Sequence, residues 1–316
     1  MRLVTGGAPN LDGASMSERR RDFIKRFDWI RTSLMFEPRG HDMMSGGFLY
    51  PPFDSASDAA ILFIETSGCL PMCGHGTIGL ITFALEHGLI TPREEGRLRV
   101  EVPAGILEVD YGREGPKVTW VRITNVPSFV VMTGVEVETG ALGRLVVDVA
   151  YGGNFYAIVD PQGRYAGLDG FGADRLAAAG RELRAKLREQ VEPIHPLDPT
   201  IRGVSHVLWA ARPKGEGADG RNAVFYGEKA IDRSPCGTGT SARLAHLWSQ
   251  GKLKEGDRFV HESYIGSRFV GRIDAVTAVC GLPAVVPSIE GSAVATGFNQ
   301  IWVDEEDRFW RGFSVV

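Results

Sequence analysis

Residues 72–80 read "MCGHGTIGL" and residues 235–243 read "PCGTGTSAR". Extended and aligned on their cysteines, "CGHGTIGLITFALEHGLI" and "CGTGTSARLAHLWSQGKL" share cysteine, glycine, glycine and threonine at the first, second, fourth and fifth places. A further shared glycine, Gly88 in one and Gly251 in the other, stands where the C-terminal stop of a helix falls. Self-similarity of this kind predicts two related halves, each carrying one helix that opens on a cysteine.

Outward from these motifs, short alternating runs such as "RLRVEV" (97–102), "ILEVDY" (106–111) and "KVTWVRIT" (117–124) are separated by turn residues, the pattern of antiparallel strands. Helical periodicity is rarer. It occurs over 18–31, with Phe23, Ile24, Phe27 and Ile30 on one stripe, and over 173–190, with Leu176, Gly180, Leu183 and Leu187. The two motif helices complete the set, so the chain reads as α/β with antiparallel strands and few helices. After Pro287, "SAVATGFNQIWV" and "RFWRGFSVV" look like two strands around the acidic turn "DEED", returning to the first half. The expected domains are therefore 1–124 plus 288–316, carrying Cys73, and 125–287, carrying Cys236.

At 316 residues, 43% hydrophobic and 23% charged, the chain has the composition of a globular protein large enough for two cores. A formal charge of -4 gives no general attraction for nucleic acid or an anionic membrane, which favours a small-molecule partner. The opening "MRLVTGGAPNLDG" lacks the apolar stretch of a signal peptide and no segment has the length of a membrane span, so a cytoplasmic location is expected. In that reduced compartment Cys69, Cys73, Cys236 and Cys280 are not expected to form disulfides.

The first N–H groups of a helix lack internal partners and sit at the positive end of its dipole. Gly74, Gly76, Gly237 and Gly239 have no Cβ, so a carboxylate can approach that backbone closely. The same field favours thiolate over thiol, which makes Cys73 and Cys236 candidate reactive cysteines rather than small core residues. Two thiols facing one carboxylate-bearing carbon suit a proton swap: one removes the α-proton while the other delivers a proton to the opposite face. His75 lies two residues after the first cysteine and Asp232 four before the second, in "DRSPCG". They are placed either to hold a substrate ammonium group and set thiol protonation, or simply to bond the local backbone, Asp232 with Arg233.

Other readings are weaker. "CLPMCGH" offers sulfur and nitrogen ligands for zinc, but the spacing is loose and no matching ligand pair lies nearby; Cys69 and Cys280 read as packed residues. Neither G-x-x-x-x-G-K-[ST] nor G-x-G-x-x-G is present, so a nucleotide loop has little support. The arginines of 18–31 alternate with acids beside an apolar stripe and read as a solvated helix face.

"MCGHGTIG" and "DRSPCGTGTSAR" resemble the two signature segments of the proline racemase family, and "YGGNFYAIVD" (151–160) and "IGSRFVGRI" (265–273) resemble further segments of it. The resemblance spans nearly the whole chain. It implies a diaminopimelate-epimerase-like fold, two similar domains each wrapping strands around a central helix, with the site in the cleft between them. It also implies cofactor-independent catalysis by Cys73 and Cys236, a substrate carboxylate held by Gly74, His75, Gly237 and Thr238, and a ring nitrogen held by His75 and Asp232. The implied partner is a small imino acid, with a homodimer as the candidate assembly.

Cysteine at both places argues against the trans-3-hydroxyproline dehydratase branch. "EPRGHDMMSGG" (37–47) and "IDRSPCGTGTSARLA" (231–245) are more similar to the bacterial branch that epimerises 4-hydroxyproline than to proline racemases. A ring hydroxyl needs a polar partner, because an unmatched buried hydroxyl is costly; His206 in "GVSHVLWA" is the candidate, against a plain packed histidine. A non-catalytic imino-acid-binding protein and a zinc-bound structural module are the competing classes. Family members carry a further strand ahead of the region matching "RLVTGG", so the first domain is expected to lack an edge strand.

Overall fold

The computed structural model describes residues 1–315. Its contacts divide into two compact units, Met1–Ile123 with the segment from Gly291 onward, and Thr124–Glu290. The first unit runs β1 (Arg2–Val4), α1 (Met16–Arg26), α2 (Asp28–Met35), β2 (Ser45–Tyr50), β3 (Ala59–Glu65), β4 (Gly68–Leu70), α3 (Gly74–Glu86), β5 (Arg97–Val102), β6 (Gly105–Glu114) and β7 (Lys117–Thr124). β1 pairs parallel with β2, β2 antiparallel with β3, β3 antiparallel with β4 and parallel with β5, and β5 antiparallel with β6.

The second unit opens with β8 (Ser128–Thr139) and β9 (Gly143–Tyr151) and continues through β10 (Phe155–Val159), α4 (Ala173–Gln190), β11 (His206–Ala211) and β12 (Gly220–Tyr226). β13 (Ala230–Ile231), α5 (Gly237–Ser249), β14 (Arg258–Glu262), β15 (Arg268–Val279) and β16 (Leu282–Gly291) complete it. From β10 onward its pairing repeats that of the first unit. β10 is parallel to β11 across the helical segment α4, β11 antiparallel to β12, β12 antiparallel to β13 and parallel to β14, and β14 antiparallel to β15. In both units the strand after the cysteine helix runs parallel to β3 or β12, the same strand to which the short β4 or β13 ahead of the helix pairs antiparallel. The repeat extends to single residues. Glu101 pairs with Ala60 and accepts the N–H groups of Phe53 and Asp54, while Glu262 pairs with Arg221 and accepts those of Lys214 and Gly215. Each buried carboxylate thus closes the loop ahead of its own unit's third strand of the repeat.

In the second unit β16 pairs back onto β8 through Ala284↔Phe129 and Val285↔Ser128, so the sheet closes and these strands present no open edge. α5 packs on β8, β9, β10 and β15. Of residues 237–247 only Arg243 is not buried, so this helix is enclosed on nearly every face. α3 is likewise buried along most of its length and packs on β1 and β2. Both helices end as their sequences indicate, with Gly88 at φ 65° and Gly251 at φ 69° just past the C-caps His87 and Gln250. None of the described helices is long and apolar enough to cross a membrane.

Three expectations need correction. The helix expected over 18–31 is two helices, α1 and α2, broken at Phe27, where φ is -128° and ψ 10°. The break lets both pieces lie over β3: Phe23, Phe27 and Ile30 join one cluster with Phe48 and Leu62, and Ile24 turns to solvent. The two strands expected after Pro287 also differ. β16 continues to Gly291, but residues 292–303 form no strand, and beyond them only the bridge Glu37↔Phe313 is seen among the described residues. This segment docks by side chains instead, with Phe298 edge-on to Phe83 and His87 and Trp310 edge-on to Trp29, which produces apolar alternation without a ladder. Cys280, expected to be packed, is exposed. With Gly281 it forms the two-residue turn joining β15 to β16, both residues at positive φ, and such a turn points its side chains away from the sheet.

The contrast between neighbours in α1 gives a test of the core. Phe23 is 0% exposed and Ile24 44% exposed. Phe23→Ala is expected to lower the unfolding free energy by about 3–5 kcal/mol and Ile24→Ala by less than about 1 kcal/mol, read from urea denaturation midpoints.

Candidate active site

In the first unit the short strand β4 delivers the chain through Pro71 and Met72 to Cys73, the N-cap of α3. Its φ of -141° and ψ of 107° are extended, as an N-cap requires, but its side chain makes no capping bond. The Cys73 carbonyl is fixed by two donors, the Thr77 N–H at 2.8 Å and the Thr77 hydroxyl at 2.9 Å. Cys73 Sγ lies 3.8 Å from both ring nitrogens of His75, whose Nε2 is 3.0 Å from Ser45 Oγ on β2. Gly74 and Gly76 are buried beside it, and a Cβ on Gly76 would stand 2.8 Å from the sulfur. The second glycine of the motif is therefore what leaves room for the thiol.

In the second unit Cys236 is the N-cap of α5 and again makes no capping bond. A Cβ on Gly239 would stand 3.2 Å from its sulfur, so the glycine has the same role as Gly76. The backbone differs: Cys236 has φ 64° and ψ 110°, a region that non-glycine residues seldom occupy. The segment "DRSPC" holds it there by alternating bonds. Asp232 Oδ1 accepts the Ser234 N–H at 2.9 Å, and Ser234 Oγ accepts the Cys236 N–H at 3.0 Å. Behind the turn, Asn222 Nδ2 donates to the Pro235 carbonyl at 2.6 Å. That bond orients the amide so that Nδ2 also faces His261 Nδ1 at 3.3 Å, and Thr240 Oγ1 lies 2.9 Å from the same nitrogen. Nδ1 thus receives donors and the ring is neutral.

Tyr156, on β10, brings its hydroxyl 3.2 Å from Cys236 Sγ and also bonds Thr238 Oγ1, which is 3.8 Å from the sulfur. Burial, then the charge of Cys236, pushes this phenol well above its ordinary range, so it stays protonated. His206 opens β11 with Nδ1 2.7 Å from Ser205 Oγ, and its ring stands 4.8 Å from that of Tyr156 and 6.2 Å from that of Tyr226. The first unit thus gathers Cys73, Gly74 and His75. The second gathers Cys236, Gly237, Thr238 and Asp232 on one turn, with His206 reaching it through Tyr156. Sequence reasoning missed Tyr156, on β10, and Asn154, in the turn just before it.

Cys69 is buried in the core, and burial pushes its thiol up to about 12, which suits packing and not reactivity. Among the described residues no group of three or more His, Cys, Asp or Glu side chains is arranged to hold a metal ion.

A duplicated α/β unit of strands with a buried helix defines the diaminopimelate-epimerase-like class of folds. A solved phenazine biosynthesis protein of the PhzF family from Bacillus anthracis shares the fold at 15% identity, with a TM-score of 0.55 over 83% of this chain and 85% of that one. Within the class, the chain belongs to the proline racemase family, whose model, described as "Proline racemase", matches residues 1–314. It is 57% identical over 317 residues to a protein of Spirosoma linguale named 4-hydroxyproline 2-epimerase, covering 100% of this chain and 95% of that one. It is 58% identical over 315 residues to an uncharacterized protein of Vibrio parahaemolyticus, with the same coverage of 100% and 95%. Among solved structures, a hydroxyproline epimerase from Agrobacterium vitis with bound trans-4-hydroxy-L-proline is similar at 32% identity and a TM-score of 0.92, covering 99% of this chain and 90% of that one.

Burial behind the second cysteine makes stability depend on acid. Desolvation, then Arg243, lowers His261 from 6.5 to about 3 in the folded chain. The unfolded chain therefore takes up this proton first, so the contribution is complete above 6.5 and is lost as pH falls towards 3. His261→Asn is expected to remove roughly 1.4 kcal/mol per pH unit of acid destabilisation below about pH 6.5, seen by comparing urea unfolding of the two chains at several pH values.

Proposed function

We propose that the chain epimerises the α-carbon of 4-hydroxyproline, interconverting the trans-L and cis-D forms through Cys73 and Cys236. The observation that carries this reading is the placement of both cysteines at the N-cap of a buried helix with no side chain capping it. In that position a sulfur and a set of backbone donors serve the same ligand. As the α-proton leaves, negative charge spreads onto the substrate carboxylate, so N–H groups at Gly74, His75, Gly237 and Thr238 stabilise the transition state more than the ground state. One cysteine acts as thiolate and takes the proton; the other acts as thiol and gives one to the opposite face, and the reverse reaction exchanges the roles.

His75 and Asp232 are assigned the ring nitrogen, and His206 the ring hydroxyl. The names carried by the Spirosoma linguale relative and by the Agrobacterium vitis structure, and the hydroxyproline bound in the latter, support this choice of substrate. A secondary ring amine forms no ordinary aldimine, so direct proton transfer without a cofactor suits it.

The reading is tested by α-proton exchange in D2O, followed by NMR with polarimetry, on trans-4-hydroxy-L-proline and L-proline in parallel. Exchange with inversion on hydroxyproline is expected. Preference for proline would turn the assignment to a proline racemase, and binding without exchange to a binding protein. Cys73→Ser and Cys236→Ser are each expected to slow epimerisation by about 10²- to 10⁴-fold; full activity in either rules out the two-thiol route.

His206→Phe keeps a ring beside Tyr156 and Tyr226 while removing the polar edge. It is expected to reduce hydroxyproline turnover by roughly tenfold or more with little change for proline, measured as kcat/KM. Equal losses on the two substrates would remove His206 from that role.

A further inference from the structure

Tyr156, Thr238 and Asn154 make a connected set beside Cys236 that no substrate-binding role explains. The Asn154 amide donates to Thr238 Oγ1 at 3.4 Å. Against a Cys236 thiolate, 3.2 Å away, the Tyr156 O–H is the donor, and the Thr238 hydroxyl then donates to the Tyr156 oxygen. Every donor in this chain points the same way, and each bond polarises the next. All four side chains are buried, so the sulfur gains from the chain in a medium where water competes little.

We infer that Tyr156 is a positioning residue for the reaction, the last donor of an Asn154–Thr238–Tyr156 chain that holds and stabilises the Cys236 thiolate. The inference rests on Cys236 being one of the two reacting thiols. Asp232 and the His206 ring also face Tyr156. Neither replaces the phenol as a donor to the sulfur: Asp232 is a carboxylate bonded to its own turn, and His206 presents the flat side of its ring. In the first unit the sulfur of Cys73 instead lies against the His75 ring, whose Nε2 is held by Ser45.

The test is Tyr156→Phe, with iodoacetamide alkylation of Cys236 followed against pH by peptide mass spectrometry and Cys73 in the same chain as internal control. The alkylation midpoint of Cys236 is expected to rise by about one pH unit while that of Cys73 stays in place, since one unit corresponds to about tenfold in the equilibrium. kcat/KM is expected to fall roughly tenfold equally in both directions, because the substrate equilibrium fixes the ratio of the two.

A purely structural role for Tyr156 would lower Tm without moving the Cys236 midpoint, and that result overturns the inference. Should Tyr156→Phe fail to fold, Thr238→Val and Thr238→Ser read the same chain: the midpoint is expected to rise in the first and hold in the second, and no rise in Thr238→Val also overturns it. Cys236→Ser separates this inference from the reading it rests on. Full activity in Cys236→Ser removes the two-thiol route, whereas an inactive Cys236→Ser with an unmoved midpoint in Tyr156→Phe removes only the role of the chain.

Discussion

A helix buried on nearly every face must still satisfy its first N–H groups, and much of this protein's organisation follows from how α3 and α5 meet that demand. Their caps are cysteines, which make no capping bond, where serine, threonine, aspartate or asparagine would close the helix start with a side-chain oxygen. No cap side chain engages those first donors, and the sulfur stands at the same helix start. The strands serve this arrangement. A short antiparallel strand, β4 or β13, delivers the chain to each cysteine, and after the helix β5 or β14 returns parallel to β3 or β12.

The two helix starts are equivalent in connectivity but not in local chemistry. Cys73 sits in ordinary extended backbone next to an imidazole, whereas Cys236 sits at positive φ next to a phenol. Holding a non-glycine residue in that region costs on the order of 1–3 kcal/mol, and it persists only where the surroundings over-determine it. Here they do. Asp232 and Ser234 fix the turn from the front, Asn222 fixes the Pro235 carbonyl from behind, and the neutral His261 completes the buried side.

Much of the architecture was legible in single residues. The strands 97–102 and 117–124, the helix 173–190 and both cysteine helices follow from apolar periodicity, and Gly88 and Gly251 mark the helix ends because positive φ favours glycine there. Where expectation failed, the same local pattern was compatible with two structures. The stripe Phe23, Phe27, Ile30 suits one helix or two helices bent at Phe27, and apolar alternation after Pro287 suits a strand or an extended segment docked by its rings. Cys280 looked like part of an apolar run and is the first residue of a tight turn. For the first two the deciding factor was a neighbour far away in the chain, and for Cys280 it was the local hairpin between β15 and β16.

The sequence by itself determined the repeat, the two cysteine-opened helices, their glycines and the family, because these depend on residues adjacent in the chain and on local backbone preference. The tertiary structure alone decided which side chains surround each sulfur. Ser45 reaches His75 from β2, and Asn154 and Tyr156 reach Thr238 and Cys236 from the strand β10 and the turn before it, some eighty residues earlier in the chain. Such contacts depend on how strands pair and on which face of a strand looks inward. Those are set by the packing of a whole unit, which no local window of sequence contains.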